Sequence, residues 1–382
     1  ALGGNLRRIH FLITGSDPQK ILSDLTRHIE ENPMISVHLN STLTEVTGYV
    51  GSFKSTLSNG DKIEHGVIIV ASGGVEYKPK EYLYGKTPKV MTQTQLGEMI
   101  AAGNVDAKLV AIVQCVGSRN DEFTNCSRIC CSTSMANAIQ LKRKNPDTAV
   151  YVLYKDIRTY GFNETHYSEA AGLGIVFLRY GEDEPPVVEE KDGRLVLTVK
   201  DQFLKEHFQI RPDLVVLNAA IRPNPDNEEL ARKLKVPLSK DKFFLEAHMK
   251  LRPVDFATEG MFLAGLAQWP KFIEESISQA CGAAARAITI LSKDEIEAEG
   301  AVSVVDETRC RGCGRCEEAC EYAAAVVEEV SPGVLKSHIN PALCKGCGAC
   351  SVACCNGAIV TKHFTDDQIL TMVEEALREA VE

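Results

Sequence analysis

Short apolar runs alternate along the chain with stretches of helical periodicity. Residues 66–71 (GVIIVA), 108–113 (KLVAIV), 149–154 (AVYVLY), 213–217 (DLVVL) and 260–264 (GMFLA) are apolar at nearly every position and of strand length. Runs of that kind belong to strands covered on both faces, hence to a mostly parallel sheet. Between them, 17–31, 94–101 and 127–144 carry helical periodicity. These elements predict an α/β body. Residues 35–40 (ISVHLN), 42–49 and 53–57 also read as strands, with a turn at Asn59, Gly60 and Asp61. Residues 187–199 read as an antiparallel ribbon turning at Asp192 and Gly193.

The pattern changes late in the chain. Residues 277–300 predict a helix running into an acidic linker, and from Ala301 short strands alternate with cysteine loops. The boundary is expected near residue 296, giving a body over 1–296, a second domain over 297–364 and a terminal helix over 365–382. In that last helix Ile369, Leu370, Met372, Val373 and Leu377 fall at helical spacing, and Thr365 is placed as N-cap. It docks on this chain or on a partner. At about 150 residues per domain, the length also gives two to three domains.

Forty-two basic against fifty-two acidic residues leave a net charge of −10, which argues against a nucleic-acid partner. No apolar run reaches the length of a transmembrane helix. The first residues, ALGGNLRRIHFLITGSD, lack the apolar core and cleavage site of a signal peptide. A cytoplasmic protein is expected. Because the chain opens without Met, its true start is expected upstream or to have been processed away.

Cysteine decides the chemistry. There are fourteen; Cys281 stands apart from two groups. Cys310, Cys313, Cys316 and Cys320 follow a C-x-x-C-x-x-C-x-x-x-C pattern, which recurs as Cys344, Cys347, Cys350 and Cys354. Three thiolates at such spacing wrap three corners of a cubane, and the fourth reaches the other cluster. The expected sets are therefore Cys310, Cys313, Cys316 and Cys354 for one 4Fe–4S cluster, and Cys344, Cys347, Cys350 and Cys320 for the other. A pair of zinc sites is the alternative, although zinc ribbons favour paired C-x-x-C motifs. The segment resembles bacterial two-cluster ferredoxins, an α+β fold. Where those have Pro after the fourth cysteine, Glu321 and Cys355 stand here; Cys355 is expected to be a buried small hydrophobe.

Cys115, Cys126, Cys130 and Cys131 match no ferredoxin spacing. They lie where a buried strand gives way to a helix, and metal ligation, a redox disulfide and structural cysteines are all open readings. The helix N-terminus, Arg119 and Arg128 are expected to favour thiolates there. A thiol–disulfide oxidoreductase working through Cys130 and Cys131 is the weaker alternative, since it leaves Cys115 and Cys126 unexplained.

The run QCVGSRNDEFTNCSRICCSTSMANA, which contains these four cysteines, resembles the signature of the heterodisulfide reductase A subunits. The resemblance runs from LGGNLRRIHF to KHFTDDQIL. It implies a thioredoxin-reductase-like, doubly wound FAD body, a non-standard 4Fe–4S cluster at the four cysteines, and hence three clusters in all. By the same resemblance, residues 260–287 correspond to the family's C-terminal FAD segment. Gly265, Ala267 and Gln268 fit its loop, Ile273 and Ser276 its helix start, and Lys271 is the catalytic candidate approaching the isoalloxazine. Gly3 and Gly4 resemble the Gly-Gly after the ribose-binding acid, and Ser72, Gly73 and Gly74 the strand-end turn beside FAD. Leu266 replaces the Asp common in relatives. The small residues from Ala280 to Ala285, Cys281 included, are expected to pack against the sheet.

No G-x-G-x-x-G follows a strand in residues 1–296. The dinucleotide fingerprint belongs about thirty residues before Gly3 by βαβ geometry, so the body is expected to be N-terminally incomplete. Its FAD site would be completed by a missing segment or by another chain. The resemblance implies an electron-transfer subunit of an anaerobic complex, with flavin-based bifurcation or confurcation. Its expected partners are other subunits of a heterodisulfide-reductase-like complex and ferredoxin or hydrogenase- or dehydrogenase-type donors. The alternatives are a flavin-free scaffold and iron–sulfur wire, or a subunit of a benzoyl-CoA reductase-type complex.

Overall fold

The computed structural model describes residues 2–295 and 300–379; the boundary expected near residue 296 and the last residues of the tail lie outside them. The chain divides into two compact units. One comprises Ala1–Val46, Thr56–Lys62 and Ile69–Arg286, the other Thr47–Ser55, Ile63–Ile68 and Ala287–Glu382.

The first unit is built on a five-stranded parallel sheet. Its order is Val90–Thr92, Leu214–Ala219, Leu109–Val116, Ala149–Tyr154 and Val176–Arg179. The all-apolar runs are explained by what covers each face. Val110, Ile112, Val150, Val152 and Val216 meet Leu96 and Ile100 of the helix Gln93–Ala102 and Met135 and Ile139 of the helix Cys130–Lys144. Their neighbours Ala111, Val113, Leu153, Val215 and Leu217 point the other way, onto Leu195, Leu197 and Val199. Those three belong to the ribbon Val187–Lys191, Arg194–Lys200 and His207–Ile210, an antiparallel meander turning at Asp192 and Gly193. A residue fully buried this way contributes about 1.5–3 kcal/mol, so the sheet has no tolerance for polar substitution on either face.

Three of the five apolar runs enter this sheet. The other two, Ile68–Val70 and Met261–Leu263, pair with each other in a separate two-stranded ladder. The stretch 35–40 forms no strand: Ile35, Val37 and Leu39 are all exposed, and the first strand begins at Leu43. Alternation without a pairing strand is insufficient. The small residues expected to pack also differ from expectation. Of Ala280 to Ala285 only Ala283 is buried, and Cys281 is exposed.

In the second unit, Ser303–Val305 pairs antiparallel with Ile359–Thr361, and Ala325–Ser331 with Val334–Ile339. Two short helices, Arg315–Glu318 and Ala349–Ala353, complete it. Its core is small: Cys316, Ala324, Ala325, Ile339, Cys350 and Ile359. Thr365 caps the helix Asp366–Glu379, accepting from Gln368 N at 3.3 Å while its own N–H donates to Gln368 Oε1 at 3.2 Å. No helix among the described residues is long and apolar enough to cross a membrane.

Candidate metal centres and flavin segment

Each ferredoxin-like cysteine run is a loop leading into a one-turn helix, and the loops require glycine. Gly312 and Gly346 take φ of 65° and 61°. A Cβ on Gly312 would collide with the carbonyl oxygen of Leu335, and one on Gly346 with that of Ala301. The Gly312 loop is thereby pressed against the strand Val334–Ile339, and the Gly346 loop against the segment leading into Ser303–Val305.

Two cavities result. One is lined by Cys310, Cys313, Cys316 and Cys354. The other is lined by Cys320, Cys344, Cys347 and Cys350. Each gathers three cysteines of one run and the last of the other. Backbone N–H groups point at the sulfurs: Ser337 N at 3.3 Å from Cys310 Sγ, Ala324 N at 3.2 Å from Cys320, Ser303 N at 3.4 Å from Cys344, and Ala358 N at 3.3 Å from Cys354. Such donors favour thiolate and raise a cluster's potential. Among the described residues no three His, Cys, Asp or Glu side chains close on a single ion. Cys355, expected to be buried, is exposed.

In the first unit, Cys115 ends the strand Leu109–Val116 in left-handed conformation, φ 63°, and the pairing with Leu214–Ala219 shifts register there. That kink turns the chain into the loop carrying Cys126, whose sulfur accepts from Arg128 N at 3.3 Å. Cys130 and Cys131 form the first turn of the helix Cys130–Lys144, both buried, with sulfurs 3.8 Å from the carbonyl oxygens of Ala219 and Asp156 respectively. The other three thiols each push Cys130 upward, so the four share one neighbourhood.

The electrostatics there differ from the expected thiolate-favouring field. Burial dominates: it raises Cys115, raises Cys131 to about 12 and raises Cys130 well above an ordinary thiol. Arg119 opposes it at Cys115. Arg128 turns away from the sulfurs, to Glu275 at 2.6 Å and to the Tyr160 hydroxyl. Thiols this buried stay protonated until a metal displaces the protons.

The flavin-like segment is a closed hydrogen-bonded loop. Gly265, with φ 67°, donates its N–H to Gln279 Oε1 at 2.8 Å. Lys271 Nζ donates to Gly265 O at 2.9 Å, Gln268 Oε1 at 2.7 Å and Gln279 Oε1 at 2.9 Å. Only 9% exposed, the amine is pushed down to about 8, chiefly by burial. Ala267 is buried and its carbonyl accepts from Phe244 N at 3.0 Å. Ile273 opens the helix Ile273–Leu291, and Ser276 Oγ donates to Phe272 O at 3.0 Å. Ser72 Oγ donates to Asn227 Oδ1 at 2.9 Å, and Gly74 pairs with Pro223. Gly3 and Gly4 open the turn Gly4–Arg8, and Asn5 Nδ2 donates to Gly74 O at 2.8 Å, which brings the two glycine segments together.

Three residues went unnoticed in the sequence. Gln279 closes the Lys271 loop. Gln114 and Asn218 sit on adjacent parallel strands, 2.6 Å apart through Oε1 and Nδ2, and Asn218 Nδ2 is also 2.6 Å from Cys130 O. For Gln114 and Asn218 a signal existed: each is a polar residue near the end of an otherwise apolar run, VAIVQC and VVLNA.

Fold and cysteine loops together define an α/β body of thioredoxin-reductase type joined to a ferredoxin-type domain. The body's likeness is to a thioredoxin reductase of T. acidophilum, with a TM-score of 0.53 at 12% identity over 77% of this chain and 88% of that one. One from Lactococcus lactis gives 0.51 at 14% identity, covering 76% and 88%. Likeness at these identities is one of fold. Residues 302–325 match the 4Fe-4S binding domain family. The A subunit of the H(2):CoB-CoM heterodisulfide,ferredoxin reductase of Methanothermobacter thermautotrophicus is 41% identical over 337 residues, 83% of this chain and 50% of that protein. The iron-sulfur A subunit of the CoB--CoM heterodisulfide reductase of Methanocaldococcus jannaschii is 38% identical over 335 residues, 83% and 51%. The chain is a homologue of these heterodisulfide reductase A subunits, and it spans about half the length of the curated relatives it matches.

Proposed function

We propose that the chain is an electron-transfer subunit of an anaerobic, cytoplasmic, multi-subunit oxidoreductase of the heterodisulfide reductase kind, with three 4Fe–4S clusters and one FAD. The observation that carries this reading is the sorting of eight cysteines into two cavities, three from one run and one from the other in each. One cluster would be held by Cys310, Cys313, Cys316 and Cys354, the second by Cys344, Cys347, Cys350 and Cys320, and the third by Cys115, Cys126, Cys130 and Cys131. The working division of the chain is a flavin body over 1–296, a ferredoxin domain over 297–364 and a terminal helix over 365–382.

FAD would rest against Gly3, Gly4, Ser72, Gly73, Gly74, Gly265, Ala267, Gln268, Ile273 and Ser276. Lys271 suits an anionic group: it is a buried cation whose three partners are neutral oxygens. Held there by Gln268 and Gln279, its ammonium would stabilise negative charge on a bound ring. Flavin supplies two-electron chemistry and the clusters one-electron steps. Bifurcation, with ferredoxin or a hydrogenase- or dehydrogenase-type protein as the other electron carrier, is the use this combination supports.

The test is iron, acid-labile sulfide and flavin on the anaerobically purified assembly. About twelve iron per chain, three cubanes' worth, with one FAD is expected. About eight iron and no flavin would overturn the flavin part and leave an iron–sulfur wire.

A further inference from the structure

Among the described residues, three buried side-chain atoms beside the 115–131 cysteines have no hydrogen-bond partner: Ser132 Oγ and two nitrogen donors, Gln114 Nε2 and Arg119 Nη1. Both nitrogens belong to side chains that are otherwise firmly held. Gln114 is 1% exposed; its amide oxygen faces Asn218 Nδ2, and its backbone carbonyl accepts from the Tyr180 hydroxyl at 2.9 Å. Arg119 is braced on one side by Asp156, Nη2 to Oδ2 at 2.9 Å, and by Glu182 at 3.5 Å. Its left-handed backbone, φ 55°, is fixed by Asn125 O, which accepts from Arg119 N at 3.2 Å, and by Lys155 Nζ, which donates to Arg119 O at 2.8 Å.

An unsatisfied buried donor is destabilising, more so when charged, and native chains carry few. Here two occur within five residues of each other in sequence, in chain next to Cys115. Asn218 Nδ2 bridges the Gln114 amide oxygen and the carbonyl oxygen of Cys130, which ties the Gln114 amide to the helix turn bearing two of the four thiols, and the Arg119 guanidinium interacts with the Cys115 thiol. A sulfur-rich anion at these cysteines would satisfy both donors at once.

We propose that Gln114 Nε2 and Arg119 Nη1 donate hydrogen bonds to sulfur of a cluster held by Cys115, Cys126, Cys130 and Cys131, and thereby set its reduction potential. The inference rests on the ligation proposed above. Reduction adds negative charge to a cluster already ringed by four thiolates. A fixed donor and a fixed cation therefore stabilise the reduced form more than the oxidised one. They are positioning residues, tuning the cluster without ligating it.

The experiment is an EPR-monitored redox titration of the full chain loaded with iron and sulfide, comparing Gln114→Leu and Arg119→Met with the unaltered chain. Each substitution is expected to reduce the ratio of reduced to oxidised cluster at fixed potential about tenfold, equivalent to 59 mV for one electron. The signals of the two ferredoxin-type clusters are expected to stay in place, and Arg119→Lys to restore most of the Arg119 loss. A third cluster titrating at unchanged potential in both variants overturns the inference while leaving the ligation standing. Eight iron in the unaltered chain would instead take down the ligation, and the inference with it. Where a variant fails to load, proton hyperfine couplings in the unaltered chain decide: exchangeable couplings beyond that of the Arg128 N–H on Cys126 Sγ support the donors, and none beyond it overturns them.

Discussion

Lys271 carries its positive charge into a nearly dry place, and its pKa of about 8 against 10.5 for a free lysine is the measure of that cost. The sign follows from linkage. Between about pH 8 and 10.5 the unfolded chain binds the proton that the folded chain has lost, so this residue's contribution to stability rises with pH across that window. Below it, the buried charge is a standing expense. Arg128 lowers the Lys271 pKa further and Glu275 raises it, and the two are paired with each other. A titration of the Lys271 side chain followed by ¹³Cε shift is expected to show a midpoint near 8. Arg128→Gln should move that midpoint upward, because a repelling cation is gone; a midpoint near that of free lysine in the unaltered chain would contradict the burial seen here.

Two cysteine loops lie close against neighbouring backbone, at Leu335 and at Ala301, and glycine is what lets each approach. Gly346→Ala places a methyl group against Ala301 O and forces a left-handed conformation on a residue with a Cβ. A loss of about 1–3 kcal/mol is expected for the strain, read as a lower Tm with iron falling in step, whereas Gly348→Ala has no comparable collision and should lose less. The gathering of these cysteines was legible because the C-x-x-C-x-x-C spacing is local and the glycines within it specify their own turn. The parallel sheet was legible for a related reason, since Leu109–Val116 and Leu214–Ala219 are apolar on both faces. Val90–Thr92 and Val176–Arg179 were missed, being three and four residues long and recognisable only by the strands they join. Residues 35–40 alternate as a strand should, yet pairing is a property of two segments, and no neighbour supplies the second. Arg128 misled for the opposite reason: its nearness in sequence to Cys126 and Cys130 suggested a role for the thiols, but its partner Glu275 lies 147 residues away.

A chain of net charge −10 that gathers eight cysteines into two cavities would concentrate further negative charge there once they lost their protons, and the crossed sorting of cysteines bears on that. Cys320 lines the cavity of the second run, and Cys354 that of the first. Neither run owns a complete site. Filling either cavity therefore fastens both halves of the ferredoxin unit, whose apolar core is too small to hold them alone. The unit should act like a clasp with two interlocked pins, where setting one pin aligns the other. Native mass spectrometry during limited iron feeding is expected to show ferredoxin units that are empty or carry eight iron, with four-iron species scarce; a dominant four-iron population would mean that the runs fill independently. The same interlock predicts how the protein fails: damage at a single exposed thiol such as Cys313 or Cys347 would cost the chain both clusters at once, so oxygen would inactivate it in one step rather than by degrees.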